Sequence, residues 1–462
     1  MFTTVLVANR GEIALRVART CRELGLRVVA VYSTEDRAAP VVGMADEAVC
    51  IGPGPARSSY LNMSAILEAA RRTGADAVHP GYGFLSEVPD FAEACESLGI
   101  TFVGPPAPVI ERLGDKAAAR AAMAAAGLPM LPGSDGPVGC PDVAARLAGE
   151  IGYPVIVKAV AGGGGRGMQV VHEPGDLVGR FREVRAAAQS LFGDDRLYLE
   201  RYLPAARHVE VQILCDQYGD GVYLGLRDCS AQRRRQKIIE ETPAPGLPDD
   251  LVRRMGEAAL RGALAAGYVG AGTFEFLVDG DGGFHFMEVN CRIQVEHPVT
   301  ELTHGVDLVR EQLLVAAGER LTLRQDELAA RGAAIECRVN AEDPARGFVP
   351  APGRITELRL PGGPFVRVDT DAYQGGRVSP AYDPLLAKVV VWAPDRPQAL
   401  ERMRRALGEF HAAGPGLATN RDFLLAVLDH PRFIAGTHDT SLVTGITEHD
   451  RARGPIEEAS VG

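Results

Sequence analysis

Lysine is nearly missing from this chain. Of its 49 basic residues only four are lysine, at 116, 158, 237 and 388, and the rest are arginine. A chain so biased toward guanidinium keeps an ammonium where a compact point charge is needed and a planar fork would not fit. Cysteine pairs are lacking as well. The eight cysteines are scattered with no CxxC, which argues against disulfides or zinc and for reduced, mostly buried thiols in a cytoplasmic protein. No apolar run approaches the about 18 residues of a membrane-spanning helix. The start, Met1-Phe2-Thr3-Thr4-Val5-Leu6, lacks the basic region, apolar core and cleavage site of a signal peptide. Basic excess is absent too. A formal charge of −11 excludes a general nucleic-acid or anionic-membrane binder, because both require basic surfaces. A local basic pocket for a small anion remains open.

At 462 residues the chain is long enough for about three domains. The first hundred residues alternate buried strands (Val5–Ala8, Val28–Tyr32, Ala77–His79, Phe102–Val103) with helices such as Gly11 to Gly25. That pattern predicts a parallel sheet covered on both faces. The turn after the first strand, Asn9-Arg10-Gly11-Glu12, carries no GxGxxG, so a dinucleotide site is not indicated. A helix is expected over Lys116–Ala126, then short strands from about 131 to 204. Residues 204 to about 330 mix strands with helices such as Asp249–Ala266. From about 332 strands dominate (Ile335–Val339, Ile355–Leu360, Leu386–Trp392), followed by helices near 397–411 and 420–429 and a polar tail.

Three clusters carry chemistry. Between strands Pro154–Lys158 and Met168–Val171 lies a loop with Gly162 to Gly165, Arg166 and Gly167. Consecutive glycines expose backbone N–H groups that can fold over phosphate oxygens, and Lys158 adds a point charge at the strand end. Next, Ala271–Val278 and Phe284–Asn290 flank a five-residue turn, which predicts a β-hairpin with Glu275 opposite Glu288, give or take one residue. Glu288 and Asn290 share a face. Opposed carboxylates repel unless a divalent cation lies between them, and hard oxygens suit Mg²⁺ or Mn²⁺. Finally, Asn290 is followed by Cys291-Arg292-Ile293-Gln294-Val295-Glu296, which presents a guanidinium for an oxyanion and a carboxylate base. Upstream, Gln232-Arg233-Arg234-Arg235-Gln236-Lys237 concentrates cations and amides before a lone lysine.

These residues resemble the biotin carboxylase family, the ATP-grasp component of biotin-dependent acyl-CoA carboxylases, over residues 1 to 447. The resemblance runs through Val7–Ala14, His79–Glu87, Gly162–Met168, Arg207–Glu210, Arg292–Thr300 and Asn340–Pro344. It implies an α/β ATP-grasp fold with a doubly wound N-terminal domain (1–114). An ATP-grasp domain (115–331) with a mobile lid (about 131–204), a strand-rich C-terminal domain (332–447) and a tail (448–462) would follow. The implied reaction is ATP-dependent carboxylation of biotin by bicarbonate through carboxyphosphate. By the same resemblance Lys116, Lys158, Gly164, Gly165 and His208 serve the nucleotide phosphates, while Glu200, Arg201 and Leu203 line the adenine pocket. Gln232 and Arg235 complete the nucleotide side. Glu275, Glu288 and Asn290 hold two metal ions. Lys237, Arg292, Gln294 and Val295 bind bicarbonate, with Glu296 as base. Arg338 stabilises the biotin enolate, and Tyr82 lies by the biotin ring.

One departure stands out. The family has His where this chain has Arg235, so a fixed cation replaces a titratable ring. The chain has no Met-Lys-Met, so a biotin carboxyl carrier protein and a carboxyltransferase are expected as separate partners. A homodimer is expected through Arg16, Arg19 and Glu23. Lys388 has no expected role. The alternatives are an ATP-grasp enzyme acting on another acceptor, and a non-catalytic nucleotide-binding subunit.

Overall fold

A computed structural model describes residues 2–161 and 167–446. Strands β1 (Thr4–Val7), β2 (Arg27–Ser33), β3 (Glu47–Gly52), β4 (Ala77–His79) and β5 (Thr101–Phe102) pair in parallel in the order β3-β2-β1-β4-β5. The expected strands and the first helix (Gly11–Glu23) are present. Edge strand β3 was not expected, although Ala48-Val49-Cys50-Ile51 is an apolar run; it lies half-exposed at the edge of the sheet. Strand order reverses between β1 and β4, and their carboxyl ends open a crevice of the kind where ligands bind in such sheets. Asn9–Glu12 and Tyr82–Glu87 line that edge. Asn9 Nδ2 donates to the carbonyls of Pro80 (2.7 Å) and Tyr82 (2.8 Å), tying the two loops together.

Strands β6 (Val155–Ala159), β7 (Met168–Val171) and β8 (Leu197–Arg201) form a small antiparallel sheet, order β7-β6-β8. The segment from 131 to 204 is not only strands. Helices Pro141–Ile151 and Leu177–Phe192 cover the small sheet. The second buries Leu177, Phe181, Val184 and Ala188, a helical period that short-strand reading overlooks.

The principal sheet uses β9 (Arg207–Cys215), β10 (Gly221–Arg233), β11 (Gln236–Thr242), β12 (Gly270–Val278), β13 (Phe284–Asn290) and β14 (Ala333–Asn340). Short pieces β15 (Glu342–Asp343), β16 (Val349–Pro350) and β17 (Glu357–Arg359) intervene before β18 (Val366–Asp369) and β19 (Leu385–Ala393); β20 (His411–Ala413) pairs with β17. The order β13-β12-β9-β10-β11-β14-β19-β18 is antiparallel throughout, so strands from the C-terminal third extend the sheet that begins near 207.

Side-chain alternation divides this sheet into two chemistries. On β9, Val209, Val211 and Ile213 join Phe274 and Phe276 in an apolar core. His208, Glu210 and Gln212 occupy the other face and are nevertheless buried. A face that is polar and dry at once is costly unless every charge is partnered. On β14 and β19, Ile335, Cys337, Val339, Val389 and Val391 pack with helix Arg396–Glu409, while Glu336, Arg338 and Lys388 continue the polar face. Among the described residues no helix is long and apolar enough to cross a membrane.

Candidate active site

The β12–β13 hairpin is set by a bulge. Val278, Leu277 and Phe276 face Phe284, His285 and Phe286 in turn, and then Glu275 faces Glu288, leaving Met287 as the extra residue. Without that bulge Met287 would stand opposite Glu275. Glu275 Oε1 accepts from Lys237 Nζ (2.8 Å), Asn290 Nδ2 (2.9 Å) and Gln294 Nε2 (3.2 Å), and Oε2 lies 2.8 Å from His208 Nε2. Burial works against ionising Glu275, but Lys237 and His208 outweigh it and hold the carboxyl well below the usual range. Glu288 goes the other way: burial and the charge of Glu275 push it up. One carboxylate fixed as an anion beside a second that resists ionising, with an amide oxygen on the same face, is an oxygen donor set suited to a hard divalent cation.

Lys237 is the hub. Its Nζ also donates to Glu210 Oε2 (2.6 Å) and Glu296 Oε1 (2.7 Å). Arg227, fully buried, donates to Glu210, to Gln212 Oε1 (2.8 Å) and to Thr300 Oγ1 (2.9 Å). Arg338 reaches Glu240 Oε1 (2.6 Å) and Glu296 Oε2 (2.8 Å). Glu296 therefore has a cation on each oxygen. Burial opposes its charge, yet Lys237, Arg338 and Arg227 hold it well below the usual carboxylate range. Burial raises Glu240 to about 7, Arg338 only partly offsetting it. Arg292 is clamped by Glu87 Oε2 (2.9 Å), Gln294 Oε1 (2.9 Å) and Asn290 Oδ1 (3.1 Å), which aims its fork across the mouth of the site.

On the small-sheet side, Lys158 and Arg120 share Glu200 in two ion pairs. Asp115 caps helix Lys116–Ala125 by accepting from Ala118 N (2.8 Å), which fixes Lys116 at the first helical position. Burial pulls the Lys116 ammonium down, while the Glu288 charge raises it. A cavity of about 480 Å³ opens beside Lys116, Arg120 and Tyr198. Gln232 Nε2 lies 2.6 Å from His208 Nδ1. Tyr82 donates to Glu12.

Not every expected residue joins the cluster. Arg201 is exposed; its side chain reaches the Ile151 carbonyl (3.3 Å) and its backbone N–H donates to Pro132 (2.8 Å). Leu203 is half-buried just beyond β8. Arg235 is exposed at the two-residue turn joining β10 and β11, where Arg234 and Arg235 have φ of 49° and 67°. Gly164, Gly165 and the tail from 448 lie outside the described residues. Of the expected dimer face, Arg16 is committed internally to Glu301 (2.7 Å) and Asp307 (2.6 Å), leaving Arg19 and Glu23 exposed.

Sequence reading missed Glu210, Arg227, Glu240, Glu87 and Glu12. A signal for Glu210 was available, because His208, Glu210 and Gln212 alternate with Val209, Val211 and Ile213. Lys388, left without a role, proves fully buried against Glu12 (2.9 Å).

Comparison with known proteins agrees with this geometry. Family models match residues 1–110 (biotin carboxylase, N-terminal domain), 115–324 (carbamoyl-phosphate synthase L chain, ATP binding domain) and 336–445 (biotin carboxylase C-terminal domain). The biotin carboxylase of Nostoc sp. is 50% identical over 442 residues, covering 96% of this chain and 98% of its own. A Campylobacter jejuni biotin carboxylase in complex with beta-gamma-ATP superposes with a TM-score of 0.93 at 44% identity, over 96% of this chain and 99% of its own. The biotin carboxylase domain dimer of Hydrogenobacter thermophilus 2-oxoglutarate carboxylase, with MgADP, ADP and bicarbonate, reaches 0.94 at 45% identity, over 99% and 100%. The chain belongs to the biotin carboxylase family.

Proposed function

We infer that this chain carboxylates biotin with bicarbonate at the expense of ATP, the first half-reaction of a biotin-dependent carboxylase. The observation that carries the reading is Lys237, held between Glu275, Glu210 and Glu296: one ammonium links the cation-binding carboxylates to the base. Nucleotide and bicarbonate are both anions, so bringing them together requires cations, and phosphoryl transfer relies chiefly on positioning and charge neutralisation.

Glu275, Glu288 and Asn290 would hold Mg²⁺ or Mn²⁺, which supplies neutralisation of the nucleotide's phosphate charge. Lys116, Lys158 and His208 face the same phosphates, with Gln232 orienting the His208 ring. Glu200 divides its charge between Lys158 and Arg120. Arg292 takes bicarbonate on its fork, with Lys237, Gln294 and Val295 around it. Glu296 accepts the bicarbonate proton. Entering anions draw Lys237 and Arg338 away from Glu296, which raises its basicity at the moment it is needed. The bicarbonate oxygen then takes the γ-phosphoryl group to give carboxyphosphate and ADP. Carboxyphosphate breaks down to CO₂ and phosphate, the phosphate removes the N1′ proton of biotin, and N1′ attacks CO₂. Arg338 stabilises the enolate oxygen of the ureido ring, and Tyr82 lines its pocket.

None of the four lysines is exposed, so none suits biotinylation, and biotin reaches the site on a carrier protein with a carboxyltransferase as further partner. The exposed Arg19 and Glu23 support a dimer contact on helix Gly11–Glu23. Eight free cysteines, most of them buried, fit a reducing cytoplasm. The test is ATP cleavage with and without bicarbonate and free biotin. Bicarbonate-dependent cleavage stimulated by biotin is expected. Bicarbonate dependence without any biotin response would point to another acceptor, and nucleotide binding without turnover to a non-catalytic subunit.

A further inference from the structure

Lys388 is the only one of the four lysines with no place in the reaction above, and it is the most deeply buried, with no exposed surface. It lies on β19 opposite Arg338 of β14, on the polar face of the sheet. Its Nζ donates to the backbone carbonyl of Val295 (2.9 Å), sits 2.9 Å from Glu12 Oε1 and lies 3.7 Å from Asp369 Oδ2. Glu12 in turn accepts from the Tyr82 hydroxyl. One ammonium thus joins the turn that carries Arg292, Gln294 and Glu296 to the loop that carries Tyr82, across the seam between the parallel sheet and the principal sheet.

A buried ammonium is an expensive way to join two elements. A buried ion pair is often replaced by apolar residues at no loss of stability, and the neighbouring β19 positions Ala387, Val389 and Val390 are buried and apolar. What an apolar side chain cannot do is hold the Val295 carbonyl. That carbonyl belongs to the peptide unit leading into Glu296, and its direction fixes where the Glu296 carboxylate points between Lys237 and Arg338. Burial alone would strip the Lys388 proton, but the charges of Glu12 and Asp369 keep the ammonium protonated.

We propose that Lys388 is a positioning residue for biotin carboxylation: through the Val295 carbonyl it sets the bicarbonate turn, and through Glu12 it sets Tyr82 at the biotin pocket. The proposal rests on the placement of bicarbonate at Arg292–Glu296. A displacement of about 1 Å of such a turn is worth roughly 10²-fold in rate.

The test compares full-length wild type, Lys388→Met, Glu12→Gln and the Glu12→Gln/Lys388→Met double variant by thermal melting, MgADP affinity, and kcat and KM for bicarbonate. Lys388→Met leaves Glu12 buried without its cation and melts lower. The double variant removes that uncompensated charge and recovers most of the melting temperature. The proposal requires the bicarbonate KM to stay raised about tenfold or more in the double variant, with MgADP affinity near that of wild type. Bicarbonate KM recovering together with the melting temperature would mean a purely structural ion pair and overturn it. MgADP affinity falling in step with bicarbonate would overturn it as well, and so would a double variant that does not fold. Absence of bicarbonate-dependent ATP cleavage in the wild type would instead remove the underlying placement.

Discussion

Replacing Lys237 with methionine removes a cation that touches three buried carboxylates, at 2.6, 2.8 and 2.7 Å. Removing a single partner from a buried ionic cluster costs about 3–5 kcal/mol, because the remaining charges have no water to turn to. The variant should melt clearly below wild type. Turnover should suffer more than folding. A preorganised donor at the reacting anion is worth about 10²–10³-fold in rate, so bicarbonate-dependent ATP cleavage should fall by that factor while MgADP still binds through Lys116, Lys158 and His208. The pH profile carries a sharper signature. Apart from opposing burial, Lys237 is the largest influence holding Glu296 ionised, so its loss raises the Glu296 pKa. The base is then protonated at higher pH, and the acid limb of kcat/KM for bicarbonate moves up. The assay is coupled ADP release across pH with bicarbonate as the varied substrate. An unchanged rate, or an acid limb that stays put while the rate falls, would refute the link between Lys237 and Glu296.

Three further outcomes are expected. Glu288→Gln should keep the fold and lower turnover about 10²-fold or more, and wild-type rates at saturating Mg²⁺ would remove Glu288 from the metal site. Arg338→Ala should spare bicarbonate-dependent ATP cleavage more than biotin carboxylation, measured side by side; equal losses would contradict its place at the enolate. Glu336 is fully buried, its two oxygens lack hydrogen-bond partners among the described residues, and burial pushes its pKa well above the usual value. A carboxyl raised on folding favours the folded state below its unfolded pKa of about 4.3 and loses that contribution as pH rises toward the folded value, by about 1.4 kcal/mol per pH unit. Glu336→Gln should therefore gain stability over wild type as pH rises above the unfolded carboxyl pKa in denaturant unfolding, and a difference that stays constant with pH would contradict a raised Glu336 pKa.

Much of the fold is legible in order along the chain. The parallel-sheet strands read from continuous apolar runs, and the hairpin from its five-residue turn. Its register read only to within one residue, because the bulge at Met287 has no sequence mark. Residues that act through local sequence, such as Arg292 and Glu296 just after β13, were accessible for the same reason. Glu12, Glu87, Glu240 and Lys388 were not. Each reaches its partner across 90 or more residues of chain; the apolar run around Lys388 marks that residue as buried, but nothing local names the partner of any of the four. Burial of an entire polar face is a tertiary fact, and only the alternation on β9 hinted at it.

The central claim is that Glu275 and Glu288 would together hold a divalent cation next to Lys237. A crystal grown with MnADP and bicarbonate tests it by anomalous diffraction. A manganese peak within coordination distance of both Glu275 and Glu288, with bicarbonate on Arg292 and Lys237, is the predicted result. Manganese bound away from that pair, or the two carboxylates turned apart in the presence of nucleotide, would contradict it.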